Sequence, residues 1–280
     1  MMRAALLLSI LLASSTSSAR TTFQQQASCP LSGKTFSTTV EGSGSVVCWR
    51  LDLKRVGWIA SPPSAPVCDD HGLVLYRAFT PAELEVLRTW VTTSSFSALR
   101  DEPSWYRAAQ TMRLLHDSDV TIAQTLVAAS WQVERDDDHY RRLLGEAAEL
   151  LHTIVSAHPE PTSPEARHLL LLLAELRRRR GDFGLAQRCL DTLAKRPAAF
   201  SVDGGGGEGG DQLAPVIAQV QAAVTKQDRR PHYIGAVDDE QDQRCWLIDV
   251  KQQAEADDER HRTDHVHVDG AHSGGAATSP

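Results

Sequence analysis

The sequence predicts an α+β protein, mainly α, in which a small cysteine-containing β-rich N-terminal module packs on an α-helical stack. Three observations predict this class. Between Cys29 and Phe79, short runs of β-branched and aromatic residues are punctuated by glycine and proline. From Thr80 to about Asp228, apolar residues recur at helical spacing. Beyond Arg229 the chain turns polar and acidic, with the runs Asp238-Asp239-Glu240 and Glu255-Ala256-Asp257-Asp258. The expected layout is a leader at 1–19, the β-rich module at 20–79, and a helical region at 80–228 with a glycine-rich loop at 203–211. An acidic, histidine-containing and largely disordered tail at 229–280 is expected to follow.

The first residues carry Arg3, an apolar run from Ala4 to Ala13, and small residues Ser17 and Ala19 placed before Arg20. That order of charge, apolar run and small residues is the pattern of an export signal. The apolar run is too short to span a bilayer, and no later segment approaches that length, so stable membrane insertion is not expected once the signal is removed. Export means an oxidising compartment, which bears on the five cysteines: Cys29, Cys48, Cys68, Cys189 and Cys245. An odd number leaves at least one thiol free or paired between chains.

Within the front module, strands are expected over Thr35–Val40, Val46–Leu53 and Leu73–Phe79, after a polar lead from Thr21 to Gln26. Ser61 to Pro66 reads as an extended loop. Thr80-Pro81-Ala82-Glu83 is a capping box with proline in the first turn, so a helix starts there and runs to about Thr92. Helices follow over Ser104–His116, Asp119–Glu134 and Asp138–Ala157, with Trp105, Tyr106, Trp131 and Tyr140 as packing aromatics. A last helix is expected over Leu213–Thr225.

The clearest architectural signal lies between Ser163 and Pro197. Pro164 and Glu165 suit a first turn, and Leu169, Leu170, Leu173, Ala174 and Leu176 form an apolar face. Arg177 to Arg180 complement the carbonyl end and read as a solvated helix terminus. Gly181 can end the helix and Asp182 can begin the next, whose inner face is Ala186, Cys189, Leu190 and Leu193. Leu170, Leu173, Ala174, Gly181-Asp182-Phe183, Ala186 and Leu190 together resemble a tetratricopeptide repeat. Arg177 stands where that repeat has an aromatic, and Leu193 where it has alanine. One repeat cannot bury its own faces, so neighbouring hairpins are implied.

The formal net charge of −7 argues against a nucleic-acid binder, which needs a positive surface toward phosphate. The sequence contains no nucleophile-elbow serine, no H-E-x-x-H and no phosphate-binding loop. Gly204, Gly206 and Gly209 form G-x-G-x-x-G, but without the strand a dinucleotide site requires, so a flexible loop is the reading. His261, His265, His267 and His272 offer adventitious divalent-metal binding at most.

Cys29-Pro30-x-x-Gly33-x-x-Phe36, then Arg50-Leu51-Asp52-Leu53-Lys54, then Pro66-Val67-Cys68 with Gly72 and Tyr76, resembles the bacterial family catalogued as domain of unknown function 2225. The resemblance extends to Gly181-Asp182-Phe183 and Gln227-Asp228. It implies two cysteine knuckles around a structural metal, most simply zinc. Here Ser32 stands at the second position of the first knuckle, and serine is a poor zinc ligand. The ligand set still open is Cys29, Cys48, Cys68 and His71. A disulfide is the preferred alternative, with Cys29–Cys68 first and Cys29–Cys48 second. The function expected is an exported, non-enzymatic scaffold that binds a protein or peptide. The alternatives are an exported hydrolase-like enzyme with its site between β module and helices, and a zinc-binding protein using the front cysteines.

Overall fold

The β-prone front of the chain forms two separate two-stranded antiparallel sheets. β1 (Thr21–Ser28) pairs with β2 (Thr35–Ser43) in a register running from Thr21 opposite Ser43 to Ser28 opposite Thr35. The segment read as a polar lead is therefore a strand. Its threonines and Phe23 favour extended backbone, and its Gln24 side chain bonds the Thr39 and Ser37 hydroxyls across the ladder. β3 (Ser45–Trp49) pairs with β4 (Arg55–Trp58). The strand expected over Leu73–Phe79 reduces to a single bridge between Val67 and Val74. That bridge is made by two bonds, the Cys68 amide donating to the Leu73 carbonyl and the Leu75 amide to the Pro66 carbonyl.

This computed structural model describes residues 20–157, 163–195, 213–236 and 238–270. The expected leader, the glycine-rich loop and the side chains of the tail histidines lie outside them. α1 (Pro81–Trp90) opens with the capping box, Thr80 and Glu83 satisfying each other's backbone amides. A short turn, α2 (Ser94–Ser97), leads to α3 (Ser104–Leu114), α4 (Asp119–Trp131) and α5 (Asp137–Ala157). Then come α6 (Pro164–Arg180), α7 (Phe183–Ala194) and α8 (Ala214–Thr225). From α3 to α8 each helix packs on the next, and α6 also touches α8. Their inner faces share one core that runs from Ala109 through Leu126, Leu144, Leu173 and Ala186 to Val224. Ala174 and Ala186 are both fully buried in it, small enough to let α6 and α7 approach closely.

The β-rich front docks through two further apolar clusters. Cys29, Phe36, Cys68 and Leu73 pack against Leu87 of α1. Cys48, Val56 and Tyr233 pack against Cys245. Cys245 belongs to α9 (Asp239–Gly270), so the tail expected to be disordered is helical over that span. Composition alone would leave it unfolded; a bond from Cys245 to Cys48 and ion pairs to Asp249 hold it against the front module.

The α6–α7 turn is built on Gly181 at φ +93°, with the Asp182 amide donating to the Arg177 carbonyl. A β-branched residue resists this left-handed conformation. Gly181→Val should lower stability by about 1 kcal/mol or more, read as a fall in melting temperature by circular dichroism with the helical signal retained at low temperature.

Candidate functional site

The Arg50-Leu51-Asp52-Leu53-Lys54 segment turns between β3 and β4, with the Leu53 amide donating to the Arg50 carbonyl and the Arg50 amide to that of Lys54. Leu53, at φ 71°, points to solvent. Arg50, Asp52 and Lys54 point inward and are 1%, 1% and 0% exposed. They meet Glu134 just beyond α4, Arg179 at the end of α6 and Asp249 of α9. Arg50 Nε donates to Asp52 at 3.0 Å and Nη1 to Asp249 at 3.3 Å, and Arg50 also pairs with Glu134. Lys54 Nζ lies 2.6 Å from Glu134 and 2.9 Å from Asp249. Trp131 Nε1 and the Tyr233 hydroxyl donate to Asp52 and Asp249, at 3.2 and 3.0 Å. Arg179 sits 3.9 Å from Glu134 and over the Tyr140 ring.

Three cations thus face three carboxylates inside the fold. Burial opposes ionisation of Glu134, but Arg50, Lys54 and Arg179 outweigh it and hold its carboxyl at about 2. Burial likewise opposes ionisation of Asp52, and Arg50 with Arg179 holds it below the usual carboxylate range. The arginine run read as a solvated terminus is corrected by the same packing: Arg177, Arg178 and Arg179 are all buried. Arg178 is clasped by Glu175 at 2.6 and 2.7 Å and donates to the carbonyls of Asp228 and Arg230, because the chain after α8 crosses the end of α6. Arg177 Nη1 lies 3.2 Å from the free thiol of Cys189.

The front cysteines sort differently from the ligand set read in the sequence. Cys29 and Cys68 form a disulfide with Cα atoms 5.4 Å apart, and Cys48 is bonded to Cys245. Cys48 therefore leaves the proposed metal set, and the Cys29–Cys48 cross-link is not formed, because β3 carries Cys48 into the other apolar cluster. Two loops of the same construction present the Cys29–Cys68 pair. The Cys29 amide donates to Lys34 and the Gly33 amide to Cys29; the Cys68 amide donates to Leu73 and the Gly72 amide to Cys68, all at 2.8 to 2.9 Å. Gly33 and Gly72 take φ of 73° and 80°, which glycine adopts without strain. His71 Nε2 lies 3.3 Å from Cys29 Sγ and 3.2 Å from Asp70. A hydrogen bond from Ser32 holds the Asp70 carboxyl below its ordinary range. Ligand atoms of Cys29, Cys68, Asp70 and His71 all lie within 4.8 Å of one another. With the two sulfurs bonded to each other they are not thiolates, and this form does not fit zinc.

A third feature lies between α8 and the start of α9. A groove of about 890 Å³ is lined by Ala222, Ala223, His232, Asp238, Asp242 and Trp246. His232 is braced from both sides, Nδ1 at 3.0 Å from Asp242 and Nε2 at 3.2 Å from Asp228. Hydrogen bonds from Arg230 hold the Asp228 carboxyl well below its usual range.

No family model, curated protein or solved structure matches the chain.

Sequence reasoning brought Cys29, Cys68 and His71 to one place and missed Asp70, which adjoins His71. It also missed the ion cluster and the α8–α9 groove. The cluster left no periodic signal, because Arg50 to Lys54 form a turn with Leu53 at positive φ, and Leu51 is buried along with the charges on either side of it. The groove had none either, since it joins residues from two separate elements.

Removing one member of the cluster leaves an uncompensated buried charge. Arg50→Leu should cost about 3–5 kcal/mol, measured by urea unfolding. Glu134 and Asp52 have folded-state pKa values below their unfolded ones. The stability they contribute is thus complete above about pH 4.5 and lost as pH falls toward about 2. Denaturation curves taken across that window should show the decline, and Glu134→Gln should flatten it.

Proposed function

We propose that the protein is an exported, non-enzymatic scaffold that binds an extended peptide segment of a partner protein in the α8–α9 groove. The observation that carries this reading is Trp246, an indole left 44% exposed on the wall of a groove of about 890 Å³. That volume lies in the range of ligand sites. Tryptophan offers an apolar surface with a polar edge, a combination suited to a peptide side chain. Asp238, an exposed residue of the lining, supplies an acceptor for a backbone amide or a basic residue of the guest, while Asp242 is engaged by His232 and the Tyr233 amide.

Support for export comes from the leader pattern and the two disulfides, which persist in oxidising compartments. Among the described residues, no helix is long and apolar enough to cross a membrane. The consecutively packed helices from α3 to α8 offer the stacked surface that a binding scaffold needs. The binding reading is favoured over a hydrolytic one because the acids with lowered pKa at the junction are engaged by cations inside the fold, where they stabilise it.

The test is a peptide-display selection on the immobilised protein, followed by affinity measurement for the enriched peptides. Enriched peptides should share an apolar or aromatic residue, and Trp246→Ala should weaken their binding at least tenfold, about 1.4 kcal/mol, without lowering the melting temperature. No enrichment, or enriched peptides indifferent to Trp246→Ala, would overturn the assignment.

A further inference from the structure

The Cys29–Cys68 disulfide joins two loops that are built alike, and the residue three positions after each cysteine faces the other loop's donors. Ser32 bonds Asp70, and His71 Nε2 lies 3.3 Å from Cys29 Sγ. A disulfide needs none of this: two sulfurs at bonding distance suffice. An imidazole nitrogen and a carboxylate converging on the same two sulfurs form the donor set of a soft to borderline divalent cation. The second loop is also anchored from outside the module, Arg107 Nη1 donating to the Gly72 carbonyl at 3.0 Å. A hollow of about 270 Å³, lined by Cys29, Lys34, Phe36, Asp69 and Asp70, opens onto the cluster and gives a cation a way in.

We propose that reduction of Cys29–Cys68 converts the paired loops into a zinc site, with Cys29, Cys68, His71 and Asp70 as ligands and Ser32 as the residue that positions Asp70. Asp70 is the fourth donor within 4.8 Å of the two sulfurs and His71, and the disulfide excludes the metal. A dithiol reductant delivers two electrons and two protons, cleaving the S–S bond to two thiols as the dithiol becomes a disulfide. Binding of the divalent cation then releases the two thiol protons. With Zn–S distances of about 2.3 Å, tetrahedral geometry sets the sulfurs about 3.8 Å apart, a displacement that side-chain rotation supplies. The same loops are therefore clamped in either state, by sulfur to sulfur or by a shared ion.

The test uses the full chain, reduced by a phosphine under anaerobic conditions and titrated with cobalt(II) alone, then zinc(II). One equivalent of cobalt should produce thiolate-to-cobalt charge-transfer absorption with tetrahedral ligand-field bands, and zinc should bleach both. Unreduced protein should show neither. Asp70→Ala and His71→Ala should each weaken cobalt binding at least tenfold, while Glu149→Ala, at an exposed position of α5, leaves it unchanged. Cys68→Ser should remove most of the charge-transfer band. The partly exposed positions of Asp70 and His71 keep the test decisive even where the cysteine variant fails to fold. Reduced protein without the charge-transfer band would overturn the proposal. So would a band indifferent to both Asp70→Ala and His71→Ala, or equal binding by the unreduced protein.

Discussion

The arrangement depends most on the dry meeting of Arg50, Lys54 and Arg179 with Asp52, Glu134 and Asp249. Each ion alone would be costly to remove from water, and only the balanced set makes burial tolerable. The participants come from the β3–β4 turn, the end of α4, the end of α6 and the middle of α9. Neither the end of α4 nor α9 can part from the β3–β4 turn without stranding a charge. The cluster thereby sets how the front of the chain sits on the helices more strictly than apolar packing, which tolerates sliding. It also explains why the α6 terminus is so rich in arginine. Arg178 and Arg179 serve a neighbouring loop and the cluster in turn, while Arg177 faces a buried thiol.

The two disulfides divide the front of the molecule between them. Cys29–Cys68 holds the paired loops against α1, and Cys48–Cys245 holds the second sheet against α9. Each two-stranded sheet is too small to supply a core of its own. Each one is completed by a helix and a covalent link, which is how a β segment this short acquires a definite place.

The legible parts of the sequence were those governed by local rules. The Thr80–Glu83 cap, the Gly181 turn and the helical spacing from α3 to α8 each depend on residues within a few positions of one another, and each is found where the pattern put it. The illegible parts depend on distant partners. Nothing near Cys245 announces Cys48, and the acidic run of α9 reads as solvated until Asp249 meets Arg50 and Lys54. The same applied to the site: Cys29, Cys68 and His71 were visible through loop spacing, whereas Trp246 and His232 share a wall only because α9 turns back beside α8.

The bond between Cys48 and Cys245 links residues 197 positions apart and encloses every helix from α1 to α8. A ribosome releases the amino end first, so Cys48 emerges long before its mate exists. During that interval its nearest thiols are those of Cys29 and Cys68. Early closure of the short-range pair removes both local competitors, whereas a wrong link to Cys48 has to be undone by thiol–disulfide exchange before Cys245 can take it. The order in which thiols are consumed becomes part of how this chain reaches its native topology.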